Sequence, residues 1–334
     1  MMVQTMPDIY ELTKIGAIDM IIYGAQSSGK RKGFIMKHSI CKIIFLMLAV
    51  LLLPLQTTQA ASTQILSTVP VGSGRYLMPE SRGNSSEPMH IFTYRSSSWQ
   101  DGKPVLVVFH GLNRNADTYR DGWIKAAEEK GFLVVCPEFS EEKFPGVPYY
   151  NLGHVVNQEG DDQLNPESTW IFPVIDDVTA DVRARMHIRK SPVILFAHSA
   201  GAQLIHRYVL LGEKCTADKI VIANAGWYTM PDRSIDFPYG IKDVPLTNKQ
   251  LAKAFSKPVT ILLGNQDTKR SKVLRKTPEA DAQGMNRLER GHAFYQTAQE
   301  TAKKMGVPFK WQLQEVSGVG HDGDAMGTYA ASMF

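Results

Sequence analysis

A chain of 334 residues that is 43% apolar and 21% charged has the make-up of a globular protein, which excludes a disordered or collagen-like one. Its formal charge of +4 is concentrated at the start. There Lys14, Lys30, Arg31, Lys32, Lys37 and Lys42 oppose only Asp8, Glu11 and Asp19, so the remainder is near neutral and carries no basic stripe for nucleic acid.

In chain order, Gly24 to Lys30 (GAQSSGK) fits the G-x-x-x-x-G-K spacing of a phosphate-binding loop. Arg31 follows where a Ser or Thr should meet Mg²⁺, and no βαβ unit surrounds it, so nucleotide binding is not expected. From Met36 the pattern changes. Lys37 and Lys42 precede an apolar run from Ile43 to Leu55, shorter than the ~20 residues of a membrane span, and small residues Thr58 and Ala60 close it. This is the layout of a cleaved secretory signal over 36–61, without a stable membrane anchor after cleavage, and it predicts an exported protein, periplasmic or secreted. Residues 1–35 then read as an extension outside the natural protein, with Met36 as the true start.

From 62 to 334 the elements alternate as in a single α/β domain. Strands are expected at 90–95 (HIFTYR), 104–109 (PVLVVF), 132–136 (FLVVC), 193–197 (VILFA), 219–224 (KIVIAN), 259–263 (VTILL) and 309–316 (FKWQLQEV). The unbroken apolar runs among them suit strands buried on both faces. Helices are expected at 117–130, 173–187, 200–211 and 291–305, with a last one in the C-terminal tail. The expected architecture is an α/β-hydrolase fold, a mostly parallel doubly wound sheet of about eight strands with helices on both faces. Long excursions at about 139–172 and 226–256 leave from strand C-termini, the edge where open α/β sheets bind ligands. Cys136 and Cys215 fall at opposite ends of that sheet, too far apart for the ~7 Å limit on bridged Cα atoms, and are expected as free thiols.

Ala197-His198-Ser199-Ala200-Gly201 lies between a strand and a helix, the setting of a nucleophile elbow, with Ala in the first small position. His110-Gly111-Leu112-Asn113 follows an earlier strand. In such a fold that loop donates one backbone N–H to an oxyanion hole and the residue after the nucleophile donates the other, so Leu112 and Ala200 are the expected donors, with Asn113 the second choice on the loop and an expected substrate contact. Asp267 follows strand 259–263 and His321 follows the last strand. The order Ser199, Asp267, His321 is the one this fold requires, with His321 as general base and Asp267 orienting it. The flanking Asp322 and Asp324 are expected to cap a helix or face solvent, because a sequence neighbour rarely reaches the imidazole Nδ1. The spacing of His321, Asp322 and Asp324 matches no metal site, and neither metal nor cofactor is expected.

His110 and His198 are expected to brace turns, and His206 to be a satisfied histidine on its helix. His154 and His292 lie at loop or helix edges. Tyr149, Tyr150, Trp227 and Tyr228 occur in the excursions. They can either contact substrate or cap the core beneath a loop, and both readings stay open.

HGLNRNADTYRDGW, FLVVCPEF, YNLG, AHSAGAQLIHRYV, NAGWYTMP, GNQDT and GVGHD together resemble bacterial exported α/β-hydrolases related to the polyhydroxybutyrate depolymerase and feruloyl esterase-like group, over most of residues 104–325. The resemblance implies hydrolysis of a carboxylic ester by Ser199, Asp267 and His321. No separate polymer-binding module is evident, which favours small-molecule or oligomeric esters over crystalline polymer. A peptidase, an amidase or an acyltransferase would use the same triad, and a non-catalytic binding protein would need none of it.

Overall fold

The computed structural model describes residues 67–161 and 163–334; the extension and secretory signal expected over 1–61 lie outside the described residues. Strands β1 (Gly72–Met78), β2 (Met89–Arg95) and β3 (Val105–Phe109) come first, followed by helices α1 (Ala116–Gly122) and α2 (Ile124–Lys130) and strand β4 (Leu133–Pro137). Next are α3 (Gly146–Tyr150), α4 (Phe172–Arg185), β5 (Val193–His198), α5 (Ala200–Leu211) and β6 (Lys219–Ala223). The chain ends with α6 (Asn248–Phe255), β7 (Val259–Gly264), α7 (Pro278–Ala282), α8 (Arg287–Met305), β8 (Gln312–Val316) and α9 (Gly323–Ala331). All eight strands form one sheet in the order β1-β2-β4-β3-β5-β6-β7-β8, with β1 and β2 antiparallel and every pair from β4 to β8 parallel.

Every residue of β3, β4, β5 and β7 is buried, as apolar runs covered on both faces require. Successive side chains of β3 point to opposite faces. Val105, Val107 and Phe109 join a core cluster with residues of α4, α5, α6 and α8, while Leu106 and Val108 join a second with Trp123, Ala127 and Met326 beneath α1, α2 and α9. The sheet is therefore doubly wound. Among the described residues, no helix is long and apolar enough to cross a membrane.

Strand β1 was not among the expected elements. Its sequence, GSGRYLM, lacks an apolar run because it is an outer strand with alternate residues exposed. The helix expected over 117–130 is broken. Trp123 ends α1 and begins α2, and its ring turns inward to meet Phe196 edge-on at 4.9 Å. Strand β8 pairs only over 312–316. The preceding Phe309 and Trp311 instead join Phe255 and Phe294 in an aromatic cluster, where side-chain burial outweighs extension of the ladder. Cys136 and Cys215 are both free and buried.

Two close approaches set the functional edge of the sheet. A Cβ on Gly201 would lie 2.6 Å from the Phe109 carbonyl oxygen and 2.7 Å from that of His110, so only glycine lets α5 pass this near to β3. A Cβ on Gly264 would lie 2.5 Å from the Val319 carbonyl oxygen, where the loops after β7 and β8 touch.

Candidate active site

Ser199 ends β5 and starts α5 with φ 57° and ψ −113°, a conformation that a non-glycine residue holds only when its surroundings impose it. Its backbone N–H donates to the Ala223 carbonyl at 3.0 Å, and the Gly201 N–H donates to the His110 carbonyl at 3.0 Å, which pins the turn from both sides. The hydroxyl is thereby lifted clear of the sheet. His321 Nε2 lies 3.0 Å from Ser199 Oγ, and His321 Nδ1 lies 2.7 Å from Asp267 Oδ2. The three residues expected from three separate strand ends are thus joined in one hydrogen-bonded chain.

Asn224 holds these strand ends in register. It takes the left-handed φ of 47°, accepts from the Gly264 N–H at 2.8 Å and donates to the Gly320 carbonyl at 3.1 Å, tying the end of β6 to the loops bearing Asp267 and His321. Arg287, at the start of α8, reaches the other oxygen of Asp267, its Nη1 3.4 Å from Oδ1. Both side chains are almost fully buried, so each charge offsets the desolvation of the other.

The loop after β3 is braced from below. The His110 ring is wholly buried, with Nδ1 2.9 Å from the Gly111 carbonyl and Nε2 accepting from the Phe139 N–H at 3.0 Å. This pattern selects the neutral tautomer that carries its proton on Nδ1. Tyr150 is also fully buried, its hydroxyl donating to the His110 carbonyl at 2.7 Å. Leu112, half exposed, borders both cavities that meet at Ser199, and Ala200, the first residue of α5, borders one of them. The Ala200 N–H has no intrahelical partner at that position.

Of the other residues singled out, Asn113 lines the cavity on the His321 side, and Trp227 lines the cavity on the opposite side. Tyr149 stacks on His154 at 4.0 Å, and Tyr228 is buried against Phe294 at 4.5 Å. Tyr149, Tyr150 and Tyr228 therefore border neither cavity, and for Tyr150 and Tyr228 the capping reading replaces the substrate-contact one because their rings are enclosed. Asp322 caps α9, accepting from the N–H groups of Asp324 and Ala325. His206 is satisfied between the Ala202 carbonyl and the Thr229 N–H, and His292 pairs with Glu315 away from the site. Among the described residues, no group of three or more His, Cys, Asp or Glu side chains is arranged to hold a metal.

Arg287 lies in no motif, whereas Asn151, Gln203 and Asn224 fall inside YNLG, AHSAGAQLIHRYV and NAGWYTMP without the sequence assigning them a role. A visible signal did exist in the run Lys269-Arg270-Ser271-Lys272-Val273-Leu274-Arg275-Lys276, directly after GNQDT. Its Val273, 70% exposed, borders both cavities at Ser199.

Three histidines near the elbow are buried and neutral. Burial holds His110 down at about 3 and pushes His198 and His206 well below their ordinary range. In the unfolded chain these rings protonate near 6.5, so the unfolded state takes up protons that the folded state refuses. The expected result is a stability that is flat with respect to these rings above pH ~6.5. It then falls as the pH drops from there toward 3, by up to ~1.4 kcal/mol per pH unit for each ring. Urea unfolding at pH 7.5 and pH 5 measures this, and equal midpoints would contradict it.

No protein-family model matches the chain, and no curated protein matches it. Solved structures do. The poly(3-hydroxybutyrate) depolymerase LpqC from Bordetella parapertussis is 37% identical over 79% of this chain and 89% of its own, with a TM-score of 0.73. Poly(aspartic acid) hydrolase-1 from Sphingomonas sp. KT-1 is likewise 37% identical, over 79% of this chain and 99% of its own, with a TM-score of 0.74. An S-formylglutathione hydrolase from Agrobacterium tumefaciens, 17% identical over 80% of this chain and 96% of its own with a TM-score of 0.51, shares the fold alone. Sequence identity over nearly the full length of the first two proteins, together with the doubly wound eight-stranded sheet, shows that the chain belongs to the α/β-hydrolase family of hydrolases and depolymerases that they represent.

Proposed function

We propose that the protein is a serine hydrolase that cleaves carboxylic esters through an acyl-enzyme. The observation that carries this reading is the continuous chain from Ser199 Oγ through His321 to Asp267, with distances of 3.0 and 2.7 Å. His321 Nε2 takes the hydroxyl proton as Ser199 Oγ bonds to the ester carbonyl carbon. The resulting oxyanion faces the N–H groups of Leu112 and Ala200, each worth about 3 kcal/mol in such sites. The bond to the alkoxy oxygen then breaks, and His321 delivers its proton to that leaving oxygen. Water repeats the sequence at the acyl carbon, releasing the carboxylic acid and restoring Ser199. Asp267 holds the imidazole in the tautomer that can accept at Nε2, and Arg287 holds Asp267.

Amide cleavage is the second reading, favoured by the relative named for poly(aspartic acid), a polyamide. The same four residues would serve, since only the leaving atom changes. Export is part of the proposal and rests on the secretory pattern from Met36 to Ala61. The test is turnover of p-nitrophenyl butyrate beside butyryl p-nitroanilide by residues 62–334. Hydrolysis of the ester with little or none of the anilide is expected. Comparable rates would move amide cleavage to the front. Loss of both, with no labelling by a fluorophosphonate, would leave the fold as a binding scaffold.

A further inference from the structure

Two cavities meet at Ser199, and their chemistry differs. The first, of about 470 Å³, is bordered by His321, Asp322 and Asp324. The second, of about 300 Å³, is bordered by Lys272, Arg275 and Arg287 and by no carboxylate. His321 must hand its proton to the leaving oxygen, so the leaving group lies on the side that His321 borders and the acyl group lies in the second cavity. This assignment rests on the serine hydrolase reading above.

The walls of the second cavity hold polar groups with nothing to bond. Asn151 and Gln203 are more than nine-tenths buried, yet Asn151 Oδ1 and Gln203 Oε1 have no hydrogen-bond partner, and neither does Nε of the buried Arg287. These three atoms are closed off from solvent and lie behind the cavity wall, so it is the charged groups on the wall that would meet a ligand. Positive charge is also in surplus. Arg287 is balanced by Asp267, and Arg275 by Glu159. Lys272 is exposed at the rim and has no acidic partner among the described residues.

Below the cavity, Arg207 is fully buried against Trp227, which it shares with Arg275 at 4.4 and 4.5 Å from the ring centre. Arg207 donates only to neutral acceptors, namely the Thr229 hydroxyl and the Asn151 and Gln203 carbonyls, and its Nη2 is unpartnered. Burial pushes its guanidinium down to about 9, which marks a cation held without a counter-charge. A buried unpaired charge is costly, and an anion seated nearby would offset it.

We propose that this second cavity seats an acyl group bearing its own carboxylate, so that the preferred substrates are esters of dicarboxylic or otherwise acidic acyl chains. The Lys272 ammonium would hold the carboxylate at the rim, with the guanidinium groups of Arg275 and Arg287 on the same wall adding to the positive field. On the leaving side, Asp322 and Asp324 repel a second negative charge, which fixes the direction in which an acidic substrate binds.

The test compares p-nitrophenyl monoglutarate with p-nitrophenyl valerate, equal in chain length and differing in the terminal carboxylate, each corrected for the rate seen with the Ser199→Ala protein. A kcat/KM ratio of about ten or more in favour of the glutarate is expected, as one charge-assisted hydrogen bond provides. Because Lys272 is exposed, Lys272→Glu is expected to fold and to lower that ratio by at least about tenfold. Added salt should lower the ratio in the unaltered protein as well. Turnover of valerate with a ratio of one or less, or a ratio that neither salt nor Lys272→Glu moves, overturns the carboxylate seat and leaves the hydrolase reading standing. Turnover of neither ester, without fluorophosphonate labelling, removes both.

Discussion

Ser199→Ala is expected to lower kcat/KM for an ester by about four to six orders of magnitude, leaving only what the oxyanion donors and substrate binding contribute. The fold should survive the change. The hydroxyl bonds only to His321, while the contacts that impose the turn, from the Ser199 N–H to Ala223 and from Gly201 to His110, belong to the backbone. Steady-state kinetics and fluorophosphonate labelling, read beside a thermal unfolding curve, separate the two effects. A folded variant that kept its activity would place the nucleophile elsewhere.

The second large effect is that of Asp267→Asn, where the geometry dictates how an amide must sit. Arg287 Nη1 can only donate, and it faces Oδ1 at 3.4 Å. The carboxamide oxygen therefore turns toward Arg287 and the NH₂ group toward His321. That donor forces His321 Nδ1 to accept and moves the imidazole proton to Nε2, the nitrogen that must take the Ser199 proton. A fall of about 10⁴ in kcat follows from the wrong tautomer alone, with little change in KM. Burial of the neutral amide in place of the carboxylate also leaves the Arg287 charge uncompensated. A lower unfolding midpoint is expected beside the kinetic loss. Retention of more than about a tenth of the activity would remove Asp267 from the proposed mechanism.

Much of the fold was legible because its signals are local. The runs PVLVVF, FLVVC, VILFA and VTILL are buried on both faces, so their hydrophobicity needs no knowledge of partners, and all four are strands. Strand β1 was not legible, since its pairing with β2 comes from main-chain hydrogen bonds that alternating polar side chains do not announce. The break at Trp123 was hidden for a related reason. A helical pattern runs through 117–130, and only the position of Phe196 across the sheet draws the indole inward.

At the site the same division holds. Ser199, Asp267 and His321 could be picked out because each follows a strand end in a short segment rich in Gly or Ala, and chain order alone then ranked them. The aromatic residues could not be assigned, because a Tyr beside a strand end points into a cavity or under a loop according to packing that no local pattern records. Trp227 lines the cavity, while Tyr150 lies beneath the loop with its hydroxyl on the His110 carbonyl.

By itself, the sequence determined the architecture, the elbow and the order of the three residues that meet there, since those depend on periodicity and on where small residues permit close backbone approach. Only the tertiary structure decided that Arg287 grips Asp267, that Asn224 ties the loops after β7 and β8, and that Asn151, Gln203 and the basic run after Asp267 surround one cavity. Those groups lie far apart along the chain. Their chemistry depends on the charges that folding gathers onto one cavity wall.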